Sequence, residues 1–231
     1  MNTVNGSGET PVVHIVEDDP SSRIATARLI RAAGLAVKLY ESASEFLANL
    51  PTGHGCVVLD LNLQGPSGFE LQERLGTIEG ALPIVVLTAH GDVPKTARAM
   101  KAGAVDFLTK PVDAPSLLEA VTRALVKDMT SRAARARQRA ARVRYERLTP
   151  REREVFAHII SGQSNKQIAS DLGASEHTIK VHRRRVIEKL EADAVPDLVR
   201  IAADLGIAPT GSTRKDVAAA PSSTADRFRR V

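Results

Sequence analysis

The chain reads as a parallel α/β domain followed by a smaller all-α domain, and three observations lead there. Five short apolar runs alternate with helix-period segments through the first half. In the second half the apolar residues step by three and four, as on helix faces. The charge divides at the same place: residues 1–126 hold 10 Lys/Arg against 14 Asp/Glu, and residues 127–231 hold 22 against 13. The net of +5 thus joins an acidic half (−4) to a basic one (+9), which points to a C-terminal module that meets a polyanion.

Residues 1–10 are polar, are expected to be disordered, and lack the apolar core of a signal peptide. Val12–Val16 is a first strand, ending in Glu17-Asp18-Asp19-Pro20. Ile24, Ala27, Leu29, Ile30 and Ala33 mark a helix that stops at Gly34, and Ala36–Tyr40 is a second strand. Ser42–Leu50 is a short helix. Cys56–Leu59 is wholly apolar, as expected of a strand buried on both faces, and ends in Asp60; Gly65, Pro66 and Gly68 then punctuate a loop into the next helix. Pro83–Leu87 runs into Thr88, a helix follows over Thr96–Ala102, and Ala104–Leu108 leads to Thr109-Lys110-Pro111. Leu117, Leu118, Val121 and Leu125 face one side of a closing helix. Such alternation predicts a doubly wound parallel sheet with right-handed crossovers. The single Cys56 reads as a buried, reduced core thiol, and no apolar run approaches membrane-spanning length; the cytoplasm is the expected compartment.

Strand one ends in Glu17 and Asp18, strand three in Asp60, strand four in Thr88 and strand five just before Lys110. In a parallel sheet those ends share one edge, where open α/β sheets place their ligands. Any one of these residues alone reads more readily as a loop cap or a solvated charge than as part of a site. Together they form a cluster of three carboxylates whose mutual repulsion calls for a cation. Mg²⁺ suits oxygen ligands and keeps room for a phosphate in its shell. Lys110 adds a point charge able to meet a carboxylate or a phosphoryl oxygen. The combination points to phosphoryl transfer.

Through IVEDDP, VVLDLNL, VVLTAHGD and AVDFLTKP, residues 11–126 resemble the receiver domain of two-component response regulators. The resemblance implies a flavodoxin-like sheet of order 2-1-3-4-5, with Asp60 taking phosphate from a sensor histidine kinase. It implies that Asp18 and Asp60 ligate Mg²⁺ by carboxylate, Asn62 by its backbone carbonyl, and Glu17 through water. Thr88 and Lys110 would hold the phosphoryl oxygens, Phe107 would be the switch aromatic, and Lys110-Pro111 would be a cis peptide. His90 and Asn62 fall where the family tunes hydrolysis of the acyl phosphate. Two departures stand out: Glu17 replaces the commoner aspartate, and the loop after Asp60 carries its proline at Pro66, not two residues earlier.

Residues 127–147 are Arg- and Ala-rich without Gly or Pro, and predict a helical linker. Met129, Ala133, Ala136, Ala140 and Val143 have coiled-coil spacing, so the linker is either a solvated spacer or a weak pairing seam. Thr149, Pro150 and Glu152 form a capping-box signature for the next helix, which carries Val155, Phe156, Ile159 and Ile160. Asn165–Leu172, a turn at Gly173-Ala174, and Ser175–Leu190 make a helix-turn-helix, the last helix exposing Lys180, Val181, Arg184 and Arg185. Val195–Leu205 closes the domain. Residues 148–206 resemble the LuxR-type DNA-binding domain through LTPREREV and NKQIASDLGASEHTIKVHRRRVIEKL, which identifies the chain as similar to the NarL/FixJ subfamily. That implies Lys180, Val181 and Arg184 in the major groove of double-stranded promoter DNA, with Asn165, Lys166 and His182 or Arg183 serving the backbone; His182 is expected to pack inward. Residues 207–231 read as a disordered tail.

The resulting expectation is a phosphorylation-activated transcription regulator, a homodimer when phosphorylated, working with RNA polymerase and not itself an enzyme. Two rivals remain open: a phosphorylation-independent DNA binder with a vestigial receiver, and an aspartyl-phosphate phosphatase.

Overall fold

A parallel sheet is covered on both faces, so its strands carry apolar residues on either side. In the computed structural model, which describes residues 10–89 and 93–209, β1 (Val12–Val16), β2 (Ala36–Tyr40), β3 (Gly55–Leu59), β4 (Ile84–Thr88) and β5 (Asp106–Thr109) form one parallel sheet of order β2-β1-β3-β4-β5. Side chains alternate across it with the period of two that pleating imposes. Val13, Ile15, Cys56, Val58, Val85 and Leu87 point to one core, shared with Ala27 and Ile30 of α1 (Pro20–Ala32) and Leu117, Ala120, Val121 and Ala124 of α5 (Ala114–Glu146). Val16, Val57, Leu59, Ile84 and Val86 point to the other, packed by Phe46 of α2 (Ala43–Ala48), Leu71 and Leu75 of α3 (Gly68–Gly76) and Ala99 of α4 (Val93–Lys101). Burial pushes the Cys56 thiol up to about 12, with the Asp128 charge adding to it, so the thiol stays protonated. Gly55 has to be glycine, since a Cβ there would overlap the Val12 carbonyl across the β1–β3 ladder.

Helix α4 starts at Val93, three residues before the expected Thr96, because Pro94 fits a first turn and need not precede the helix. Strand β5 starts at Asp106, not Ala104; the Ala104 amide bonds back to Ala99 of α4 before Val105 joins Ile84.

The expected closing helix and linker helix are one element, α5. Nor is its linker portion a uniformly solvated spacer. Asp128 is buried, accepts from the Gly55 amide at 3.1 Å and pairs with His54 and Arg132. Arg132 also donates to the Thr52 carbonyl at 2.9 Å, and the Arg135 guanidinium lies beside Gly80. The five residues with coiled-coil spacing, Met129, Ala133, Ala136, Ala140 and Val143, are all exposed.

The chain divides into two compact units, Met1–Ala136 and Arg137–Val231. In the second, Ala141, Tyr145 and Leu148 join a core built by α6 (Pro150–Ile160), α7 (Asn165–Asp171), α8 (Glu176–Leu190) and α9 (Val195–Leu205), centred on Phe156, Ile168, Ile179 and Leu190. Thr149 and Glu152 form the expected capping box; Glu152 is buried and also takes Lys189 at 2.6 Å. Burial alone would raise the Glu152 carboxyl, but the bonds from Lys189 and Thr149 outweigh it and hold the carboxyl below its usual value. Among the described residues no helix is long and apolar enough to cross a membrane.

Two stability predictions follow from these buried polar groups. His14, buried with its Nδ1 3.1 Å from the Tyr40 hydroxyl, has its imidazole lowered from 6.5 to about 4 by burial and by Lys38. The unfolded chain therefore takes up a proton near pH 6.5 that the folded one refuses until about pH 4, so stability falls as pH falls through that window. Replacing His14 with Gln should remove roughly 1–3 kcal/mol of that acid loss, seen as a flatter slope of denaturant midpoint against pH. Asp128→Ala should destabilise the first unit by about 3 kcal/mol, because the Gly55 amide and Arg132 lose a buried acceptor. Amide exchange across residues 127–136 should then quicken.

Candidate phosphoryl-transfer site and DNA-binding face

The carboxyl edge of the sheet is a pocket of fixed charge. Glu17 and Asp18 leave the end of β1, Asp60 leaves β3, and one carboxylate oxygen from each lies within 4.8 Å of the others. Among the described residues this is the one such group of three or more potential metal ligands. Lys110, following β5, reaches across to Asp60 at 2.7 Å and also pairs with Glu17. Burial works against the Lys110 charge, but its bonds to Asp60 and Glu17 lift the ammonium above its ordinary value. The Glu17 carboxyl is raised as well: burial raises it, Lys110 pulls it down, the Asp60 charge pushes it up, and the net is upward. Three carboxyl groups thus face a single ammonium, Lys110. Hard, clustered oxygen donors of this kind fit a divalent cation such as Mg²⁺.

The backbone also serves the pocket. The Asn62 amide donates to Asp60 Oδ1 at 2.9 Å, and the Gln64 amide donates to Asp18 Oδ2 at 3.1 Å. The loop carrying Pro66 therefore folds back over the pocket and caps Asp18. Gly68, at the start of α3, bonds to the Leu61 carbonyl at 3.2 Å; a Cβ there would overlap the Asp60 carbonyl and come within 2.6 Å of Leu61 Cα. Thr88, fully buried at the end of β4, accepts from the Asn62 side-chain amide at 3.3 Å. Phe107 pairs with Val86 in the β4–β5 register and lies half-buried against the core. The Lys110–Pro111 peptide is cis. His90 lies outside the described residues.

Three neighbours of this pocket escaped the sequence reading. Ser22 donates its hydroxyl to Glu17 Oε2 at 3.1 Å, Arg23 bonds to the Glu17 and Asp18 carbonyls, and Gln64 caps Asp18. Only the first two carry a signal in sequence, sitting five residues after an acidic strand end on the first turn of a helix.

In the helical unit α7 and α8 pack as a helix-turn-helix, with Ile179, Val186 and Leu190 buried beneath α8. Lys180, Val181, Arg184 and Arg185 are exposed on its outer side, and Arg184 pairs with Glu188 at 2.7 Å. Lys166 is exposed at the start of α7. Asn165 and Arg183 are half-buried and bonded to each other at 3.3 Å, which ties α8 to the first turn of α7. His182 is half-buried with its Nδ1 enclosed and without a hydrogen-bond partner among the described residues. His177, exposed one turn before Val181, shares the outer face and was missed, although its spacing from Lys180 and Arg184 would have found it.

Residues 13–122 match the family described as response regulator receiver domain, and residues 146–202 match bacterial regulatory proteins of the luxR family. The chain is 40% identical over 207 residues to nodulation protein W of Bradyrhizobium diazoefficiens, covering 89% of this chain and 91% of that one. It is 40% identical over 199 residues to the transcriptional regulatory protein FixJ of Rhizobium meliloti, covering 86% and 98%. Among solved structures it is similar to response regulator StyR, at 43% identity and a TM-score of 0.74 over 84% of this chain and 99% of that one. Full-length FixJ of B. japonicum aligns at 36% identity and a TM-score of 0.53, over 86% and 98%. Receiver domains of this family hold Mg²⁺ through acidic residues and are partnered by histidine kinases, and the luxR-type domain binds DNA. With both domain matches and relatives covering most of its length, the chain belongs to the response regulators, transcription regulators that a phosphorylated receiver activates and that act through a LuxR-type DNA-binding domain.

Proposed function

We propose that Asp60 is the phosphoacceptor, taking its phosphoryl group from the phosphohistidine of a sensor kinase in the cytoplasm. The observation that carries this reading is the Lys110 ammonium bound to both Asp60 and Glu17 at the edge of a three-carboxylate pocket. Asp60 Oδ attacks phosphorus as the bond to the histidine nitrogen breaks, and that nitrogen keeps the electron pair. Asp18 and Asp60 would hold Mg²⁺ by carboxylate and Asn62 by its backbone carbonyl, with Glu17 contributing through water. A cation bound there would supply charge neutralisation between the entering phosphoryl group and the carboxylates. Lys110 leaves its carboxylate partners to meet a phosphoryl oxygen, and Thr88 gives up Asn62 to donate to another.

The Thr88 movement vacates space beside β4 into which Phe107 turns, and this re-sets the face made by α4, β5 and the receiver part of α5. That face pairs two copies, so that two α8 helices read a two-fold-related promoter site next to RNA polymerase. Lys180, Val181 and Arg184 read base edges; Asn165, Lys166 and Arg183 serve the phosphate backbone, with His182 packed beneath. The phosphate selects between two states already available, which requires only that it bind one of them better. The reading is of a regulator and not of an enzyme that turns over a separate substrate.

Duplexes selected from a random pool supply the binding site for a test. Treatment with acetyl phosphate and Mg²⁺ should raise wild-type affinity at least about tenfold and shift the protein from monomer to dimer, a coupling of about 1.4 kcal/mol or more. Asp60→Asn should show neither change. Equal affinity with and without the donor would instead support the vestigial-receiver alternative. On DNA itself, Arg184→Ala should cost about 1–3 kcal/mol and relax preference at one base pair, measured by competition. Lys166→Ala should weaken all sequences alike and reduce the slope of log K against log salt by about 1.

A further inference from the structure

The β1–β2 ladder ends where the Glu17 amide donates to the Tyr40 carbonyl at 3.1 Å. Asp18 comes after that last pair, so sheet pairing does not set the direction of the chain that carries it. Arg23 takes over at this point. It lies on the first turn of α1, is 7% exposed, and donates through Nη1 to the Glu17 carbonyl at 2.7 Å and the Asp18 carbonyl at 3.2 Å. Its Nη2 bonds to Glu41 at 2.8 Å, just past the end of β2. The planar guanidinium fork can serve two carbonyls and a carboxylate at once, which a lysine cannot. One side chain thereby fixes three things: the turn after β1, the first turn of α1, and the exit of β2. Ser22, its neighbour, holds the Glu17 carboxylate itself. Glu17 carries one more methylene than aspartate, and so more torsional freedom, in a pocket where its oxygen must lie within 4.8 Å of those of Asp18 and Asp60.

We propose that Arg23 is a positioning residue for the divalent-cation site: by clamping the Glu17 and Asp18 carbonyls and anchoring to Glu41, it holds both acidic side chains in the geometry that binds Mg²⁺. The inference rests on the reading of Glu17, Asp18 and Asp60 as that site. Arg23 touches neither cation nor phosphate; its effect passes through the backbone. Groups that orient ligands in this way change metal affinity about 10–100-fold when removed.

The test titrates full-length protein with Mg²⁺ by calorimetry and, separately, follows phosphorylation by acetyl phosphate across Mg²⁺ concentrations. Wild type, Arg23→Ala, Arg23→Lys and Glu41→Gln are compared, each with its unfolding midpoint taken in chelator. Arg23→Ala should raise the Mg²⁺ dissociation constant about tenfold or more. Arg23→Lys should fall between it and wild type, since one ammonium can meet a carbonyl but not also Glu41. Glu41→Gln should weaken Mg²⁺ binding by a smaller factor. At saturating Mg²⁺ the phosphorylation rate of every folded variant should return to near wild type, while the half-saturating concentration stays raised, a split that general destabilisation would not produce. Should Arg23→Ala fail to fold, Arg23→Lys and Glu41→Gln carry the comparison. Variants that keep the wild-type midpoint and bind Mg²⁺ as tightly as wild type would overturn the inference and leave the site reading intact. Wild type that binds no Mg²⁺ would overturn the site reading and the inference with it.

Discussion

Three carboxylates brought to one sheet edge are the constraint on which the rest of this molecule depends. Glu17, Asp18 and Asp60 repel one another, and folding must hold them together before any cation or phosphate arrives. Lys110 pairs with two of them, reaching from the end of β5 to Asp60 and Glu17. Backbone amides of Asn62 and Gln64, the Ser22 hydroxyl and the Arg23 clamp complete the holding set. Burial keeps the Glu17 carboxyl raised despite its bond to Lys110, and the Asp60 charge adds to it.

The same edge joins the proposed chemistry to the packing of β4 and β5. Thr88 and Lys110 end adjacent strands, and Phe107 sits between them in sequence along β5 with its ring against the core. In the proposed switch, a change in what Thr88 and Lys110 bind would pass to the packing of β4 and β5. At the opposite edge, Asp128, Arg132 and Arg135 bind α5 to the loops that precede β3 and β4. The helix that leaves the receiver is thus fastened to it well past Ala124, the last of its residues buried in the sheet core.

Much of the fold was legible because parallel strands announce themselves. The strands are largely apolar, and the polar residue at or just after each end falls on a shared edge whatever the helices between do, so Asp60, Thr88 and Lys110 could be grouped without a structure. The strand order and the cis Lys110–Pro111 peptide came only with the family resemblance, since neither periodicity nor composition encodes them. What stayed hidden depends on chain returning from far away. Asp128 looks like an ordinary charge on an Arg-rich helix, and its acceptor role for the Gly55 amide joins residues 73 positions apart. The shift in composition near residue 126 suggested a boundary, yet α5 runs through it, because helix propensity is local and takes no account of where a core ends. Arg23 was passed over for a related reason: a charged residue on a first turn reads as solvated until the helix is seen to fold it back onto the strand end.

The central claim is that this three-carboxylate edge, once a cation balances it, accepts a phosphoryl group on one particular carboxylate. Intact mass spectrometry after incubation with a small phosphodonor tests it most directly, with the modified peptide mapped after borohydride reduction. The account predicts a single phosphoryl adduct in the presence of Mg²⁺, located at Asp60 and lost when the ion is chelated. No adduct with Mg²⁺ present, or an adduct on any other residue that survives chelation, would contradict it.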